Sequence, residues 1–106
     1  MSVDLEVSEH LVVLSAIAEP TRWRIVQLLR DEELCVCHLV EALALPQPLV
    51  SHHLGVLRHA GVVTTERFRY WTYYRLDRDV LAAAAARVSD VLPGAGGGRP
   101  RRRPCG

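Results

Sequence analysis

The chain has 106 residues, 49% of them apolar, which suffices for one domain with a modest core and little to spare, so a partner surface would help to stabilise it. The formal net charge of +1 hides an asymmetry: residues 1–60 carry four Arg against eight acids, whereas residues 61–106 carry nine Arg against four acids. Positive charge is thus concentrated toward the C-terminal part, which permits nucleic-acid binding without announcing it. No apolar run approaches the length needed to cross a bilayer, and residues 1–9 are polar and acidic rather than a basic leader before an apolar block, so a cytoplasmic chain with no membrane partner is expected. Three cysteines, two of them one residue apart, do not make a secreted disulfide framework and point instead to ligation or redox sensing. All thirteen basic residues are arginine, which reads as a coding bias rather than as chemistry.

In chain order, Ser8 is placed to cap a first helix in which Leu11, Val12, Leu14, Ala16, Ile17 and Ala18 are apolar on most of the surface. Such a helix is expected to be buried against a partner chain as well as its own domain. Pro20 suits the first turn of a second helix, with Trp23, Ile25, Val26, Leu28 and Leu29 facing the core and Arg22, Arg24 and Arg30 facing out. Leu34 to Cys37 reads as short and partly extended, and Leu39, Val40, Ala42, Leu43 and Leu45 carry a third helix. Pro46 and Pro48 break the pattern, Pro48 opening a fourth helix to about Ala60 with Gln47 at its lip. Val50, Leu54 and Leu57 then point inward, while Ser51, His52, Gly55 and Arg58 lie on the outer faces. Two short helices joined by a tight turn, the second presenting small and polar side chains, make a helix-turn-helix.

Gly61 ends the fourth helix, and the β-branched and aromatic residues of 62–65 and 70–76 predict a β-hairpin, or wing, whose turn lacks glycine. Asp77 is placed to cap a last, alanine-rich helix reaching about Leu92, with Val80, Leu81, Ala84, Val88, Val91 and Leu92 on its apolar face. That face allows close helix approach and is assigned with the first helix to a dimer interface. The expected fold is therefore mainly α with a small β-hairpin: a winged helix-turn-helix over residues 1–92, homodimeric through its first and last helices. Residues 93–106, rich in Gly, Arg and Pro, are expected to form a disordered tail.

Glu33-Leu34-Cys35-Val36-Cys37, Ser51-His52-His53-Leu54, Leu57-Arg58-His59-Ala60-Gly61 and the segment from Trp71 to Leu76 resemble the ArsR/SmtB family of winged-helix, metal-responsive transcriptional repressors, over roughly Leu11 to Leu92. The resemblance implies a dimer that binds operator double-stranded DNA in its ion-free form and dissociates when an ion binds. It also implies that Gln47, Ser51, His52 and His53 lie at or near the groove, His53 having packing as its alternative role. Arg58 and the wing residues Arg67 and Arg69, with Tyr70 beside them, have the chemistry for phosphate or minor-groove contact. Arg99, Arg101, Arg102 and Arg103 offer sequence-independent attraction.

The thiol pair carries the sensing chemistry. Positions two apart in a regular α-helix point about 200° away from each other, so Cys35 and Cys37 reach one ion only from an extended or first-turn backbone. Ion binding is therefore expected to require an unwound or distorted start of the third helix. Thiolates select As(III) or Sb(III), or Cd(II), Pb(II) and Zn(II), and are themselves open to oxidation. Arsenic-sensing members of the resembled family commonly carry a further cysteine three residues after the pair. Here that position is Val40, and His38 stands where aspartate is usual, leaving Cys105 as a third sulfur within reach or His38 as a nitrogen donor. The cadmium and lead sensors draw further thiolates from an N-terminal segment, and residues 1–34 contain no cysteine, which favours As(III) as the inducer. The family's other site, of Asp and His on the last helix, lacks its histidines in residues 77–92. A thiol-transfer enzyme is the weakest alternative, since a one-residue spacer strains a disulfide and no catalytic partner is evident.

Overall fold

The computed structural model describes residues 5–92 and 101–104, with side chains from residue 8 onward. Among the described residues, five helices and three strands follow in the order α1 (Leu5–Ile17), α2 (Pro20–Leu28), β1 (Leu34–Cys35), α3 (Val36–Leu43), α4 (Gln47–His59), β2 (Val63–Phe68), β3 (Trp71–Leu76) and α5 (Arg78–Ser89). Helix α1 begins at Leu5, so Ser8 lies within it and does not cap it. Pro20 opens α2 as its fixed φ dictates, behind an N-cap Glu19 whose carboxylate accepts the Arg22 backbone N–H at 2.8 Å.

The core is centred on Ile25, Leu39, Val50, Leu54, Leu57, Val62 and Val63, all with under 2% exposure. Ile25 from α2, Leu39 from α3 and the α4 triplet spaced by four and three meet there, as their helical periodicity requires. Trp23 departs from expectation. It is 47% exposed, because the stripe that Ile25, Val26 and Leu29 bury turns it away from the core. Leu45 also falls outside α3, which closes at Ala44 with a left-handed φ of 54°. Residues 44–46 form the tight turn that sets α3 against α4.

Helix α4 ends in a Schellman arrangement: Gly61 N–H donates to the Arg58 carbonyl and Val62 N–H to the Leu57 carbonyl, both at 3.0 Å. Gly61 supplies the φ of +81° that this geometry needs. The chain then enters a wing in which β2 and β3 pair antiparallel from Val63↔Leu76 to Phe68↔Trp71. Arg69 opens the two-residue turn with φ 57°, a place where glycine is usual.

The expected hairpin is in fact one part of a three-stranded sheet, ordered β1-β3-β2. Leu34 pairs with Tyr74 and Cys35 with Tyr73. A two-residue strand has no alternation to betray it in the sequence, and its identity comes from the free edge of β3 beside it. Asp77 caps α5 by accepting Val80 N–H at 3.2 Å, and α5 closes at Ser89 rather than near Leu92. Ala84 packs into the core while Val88, Val91 and Leu92 stay exposed in the single chain. No helix among the described residues is long and apolar enough to cross a membrane.

Candidate metal centre and DNA interface

Cys35 and Cys37 straddle the junction of β1 and α3. Cys35 is the N-cap of α3, with extended backbone (φ −86°, ψ 169°), and Cys37 is the second residue of the helix. This change of backbone conformation between them solves the geometry that a continuous helix forbids. Their Sγ atoms and a ring nitrogen of His38 lie within 4.8 Å of one another, the one such cluster among the described residues. The expected unwinding of α3 is therefore not needed to bring the thiols together.

His38 completes the junction. Its Nδ1 accepts the Cys35 backbone N–H at 3.2 Å and stands 3.2 Å from Cys35 Sγ, reaching back as the acidic partner of a capping box does. Cys35 is buried and Cys37 exposed. Burial pushes the Cys35 thiol up, but hydrogen bonding from the Cys37 side chain and from the backbone N–H groups of His38, Cys37 and Cys35 outweighs it and brings the thiol below its ordinary range. Donating to Cys35 raises Cys37 correspondingly, with burial and the Cys35 charge adding to the rise. One thiolate, formed first at Cys35 and held by a neighbouring thiol, is what soft-ion ligation starts from. The donor set fits a thiophilic ion. Cys105, the expected third sulfur, lies outside the described residues, as do Arg99 and most of the expected tail; Arg101, Arg102 and Arg103 are exposed and without regular structure.

The residues expected at DNA divide by their position on α4 and the wing. Gln47, Ser51, His52, Arg58 and Gly55 are exposed, as are Arg67, Arg69 and Tyr70 at the end of the wing. Arg67 Nε donates to the Arg69 carbonyl at 3.5 Å, and the Arg69 guanidinium sits 5.5 Å from the centroid of the Phe68 ring. His53 is different. It is 9% exposed and points to the junction of α1 and α2, where Arg22 lies 3.2 Å and Glu19 3.8 Å from its Nδ1.

Arg22, expected to face solvent, is half-buried instead: its Nε donates to the Ala16 carbonyl at 2.6 Å and its guanidinium meets His53. Sequence reasoning missed this clamp because Arg22 and His53 are 31 positions apart. The Arg22 backbone N–H holds the Glu19 carboxyl below its ordinary range against desolvation, with Thr21 N–H, His53 and the Arg22 charge assisting. Sequence reasoning also missed Arg75, which ties Glu33 (3.7 Å) beside the thiol strand to Glu66 (3.4 Å) and Thr64 Oγ1 (3.2 Å) on the wing. The alternation of β3 was the available signal, since Arg75 shares a face with Tyr73.

Residues 19–65 match the sequence profile described as "Bacterial regulatory protein, arsR family". The arsenic resistance transcriptional regulator ArsR1 of Pseudomonas putida is 46% identical over 82 residues, 76% of this chain and 64% of that protein, so the chain spans under two thirds of that relative's length. A solved structure of a possible transcriptional regulator for arsenical resistance is 40% identical, with a TM-score of 0.68 over 73% of this chain and 80% of the other. The solution structure of a homodimeric winged helix-turn-helix DNA-binding domain from Mycobacterium bovis, a possible ArsR-family regulator, is 26% identical, with a TM-score of 0.68 over 79% of this chain and 80% of the other. By profile, sequence and fold, this chain belongs to the arsR family of bacterial regulatory proteins.

Proposed function

We propose that the protein is a homodimeric transcriptional repressor that binds operator DNA in its ion-free form and releases it when As(III), or Sb(III), is held by the Cys35 and Cys37 thiolates. The observation that carries this reading is the cluster of both thiols and His38 within 4.8 Å at the start of α3, the helix packed against α4. An arsenite hydroxide leaves with each thiol proton as water when a thiolate takes its place, so two cysteines suffice for a stable chelate, and unchanged or weakened arsenite affinity in Cys105→Ser divides a two-sulfur from a three-sulfur site. His38 Nδ1 is already engaged by the Cys35 N–H, which favours sulfur ligation over nitrogen. The similarity to arsenical-resistance regulators supports the same ion.

Gln47, Ser51 and His52 on α4 are assigned to base edges, with Arg58, Arg67 and Arg69 on phosphates or the minor groove. His53, being buried beside Arg22, is assigned to holding α4 against α1 and α2 rather than to reading bases. The exposed apolar residues of α1 and α5 support a two-fold dimer, which spaces two recognition helices about one duplex turn apart and calls for a palindromic operator.

The test is Cys37→Ser, with Cys35→Ser beside it. Both are expected to bind operator within about threefold of the parent and to lose release by arsenite; loss of DNA binding in the ion-free variants would make the cysteines structural. A second reading, a divalent sensor for Cd(II), Pb(II) or Zn(II), is favoured by the presence of His38 in the cluster. It predicts release by those cations and not by arsenite, and dependence on His38.

A further inference from the structure

The thiol pair opens onto a cleft whose other walls come from the two parts of the molecule assigned to DNA. Cys35, Val36 and Cys37 form one side, Gln47 from the first turn of α4 another, and Tyr70, Trp71 and Thr72 of the wing the third. The wing is also joined to the thiol strand directly. Cys35 pairs with Tyr73 in the β1–β3 ladder, two residues beyond Trp71, and Arg75 bridges Glu33 to Glu66 across the same sheet.

Trp71 is the notable wall. It is 52% exposed and takes no part in the hydrophobic core, so its indole does little for folding while bounding the space in front of the sulfurs. The wing turn carrying Arg69 and the helix carrying Ser51 and His52 must hold a fixed separation to meet one duplex together. Trp71 from the wing and Gln47 from α4 both line this one cleft.

We propose that Trp71 is a positioning residue of the effector site, through which ligation at Cys35 and Cys37 shifts the wing relative to α4. This rests on the reading of those cysteines as effector ligands. The sensing path then has two branches, one through α3 into α4 and one through Trp71 into the wing, and the second sets how strongly binding at the thiols opposes binding of DNA. By linkage, operator DNA weakens arsenite binding by the same factor, and removing the indole reduces both.

The experiment uses the full chain with Trp23→Phe, which leaves Trp71 as its one tryptophan. Arsenite is added without DNA while sulfur–arsenic absorbance and Trp71 emission are followed together. The emission is expected to change in step with the absorbance and to saturate at the same stoichiometry. In the otherwise parental chain, Trp71→Leu is expected to keep operator affinity and arsenite affinity each within about threefold. The ratio of operator Kd with and without arsenite should fall at least tenfold, with Trp71→Phe restoring part of it. Arsenite absorbance with unchanged Trp71 emission, or a Trp71→Leu protein with the full parental ratio, would overturn the proposal. Absence of any sulfur–arsenic absorbance would instead overturn the ligand assignment beneath it, and the inference with it.

Discussion

The helix-turn-helix half of the molecule and the outer pair α1 and α5 bury apolar surface to very different degrees. In the first, Ile25, Leu39, Val50, Leu54 and Leu57 are sealed within the single chain. In the second, Leu11, Val12 and Val88, with Val91 and Leu92 just beyond the end of α5, remain exposed, although α1 and α5 pack against each other. The difference teaches that one half is a finished scaffold beneath the side chains proposed to read DNA, while the other leaves apolar surface open, which the proposed dimer would cover. The thiol junction lies on the finished side, with Cys35 and Leu39 buried and α3 packed against α4.

The largest effect expected from this contrast is at Leu57. Leu57→Ala removes a fully buried side chain and should destabilise the fold by about 2–5 kcal/mol, read as a lower denaturant midpoint in urea. Equal losses from Leu57→Ala and from Val91→Ala would erase the distinction between the halves. On the unfinished side, Leu11→Glu combined with Val91→Glu should convert a dimer into a monomer by analytical ultracentrifugation and abolish the concentration dependence of Tm, while helical content is kept. A parent protein that is already monomeric at micromolar concentration would contradict the proposed interface.

The thiol pair sharpens the contrast by acidity. In a Cys105→Ser protein, thiolate absorbance should rise in two steps, one below and one above the ordinary thiol value, because Cys37 donates to Cys35. A single step at the ordinary value would separate the two sulfurs. Asp77→Ala, which removes the α5 cap, should cost about 1 kcal/mol and act on the outer pair.

The smallest expected effect is that of pH on the Glu19 cap. Its folded pKa is lowered, so its stabilisation is present above the unfolded value near 4.5 and is lost as pH falls through the folded value. Glu19→Gln should flatten the acid limb of stability between those two points, and an unchanged limb would remove Glu19 from the account.

Much of this was legible in the sequence where periodicity and capping chemistry speak locally. Val50, Leu54 and Leu57 announce the buried face of α4, Pro20 the start of α2, Gly61 the end of α4 and Asp77 the cap of α5. Ser8, Leu45 and the end of α5 are element boundaries that local pattern misplaced, whereas the other misreadings turn on which neighbours folding brings to a side chain or a strand edge. Trp23 sits at helical spacing but faces away from the core; Arg22 is drawn inward by the Ala16 carbonyl and by His53; β1 exists because β3 presents an edge to it. The candidate site was legible as a pair of thiols, and its workable geometry came from the strand-to-helix junction between them. The Gln47 and Trp71 walls were not legible, because only folding brings positions 35, 47 and 71 to one cleft.

The most direct test of the central claim is a titration of the reduced protein, bound to its own promoter fragment, with arsenite and separately with Cd(II), Pb(II) and Zn(II), following release by fluorescence anisotropy. Release by arsenite at concentrations near that of the protein, absent in Cys35→Ser and Cys37→Ser, is the predicted result. A complex that arsenite leaves intact while a divalent cation dissolves it would contradict the assignment of the inducer. A complex that none of the four ions dissolves would contradict the sensing role of the thiol pair.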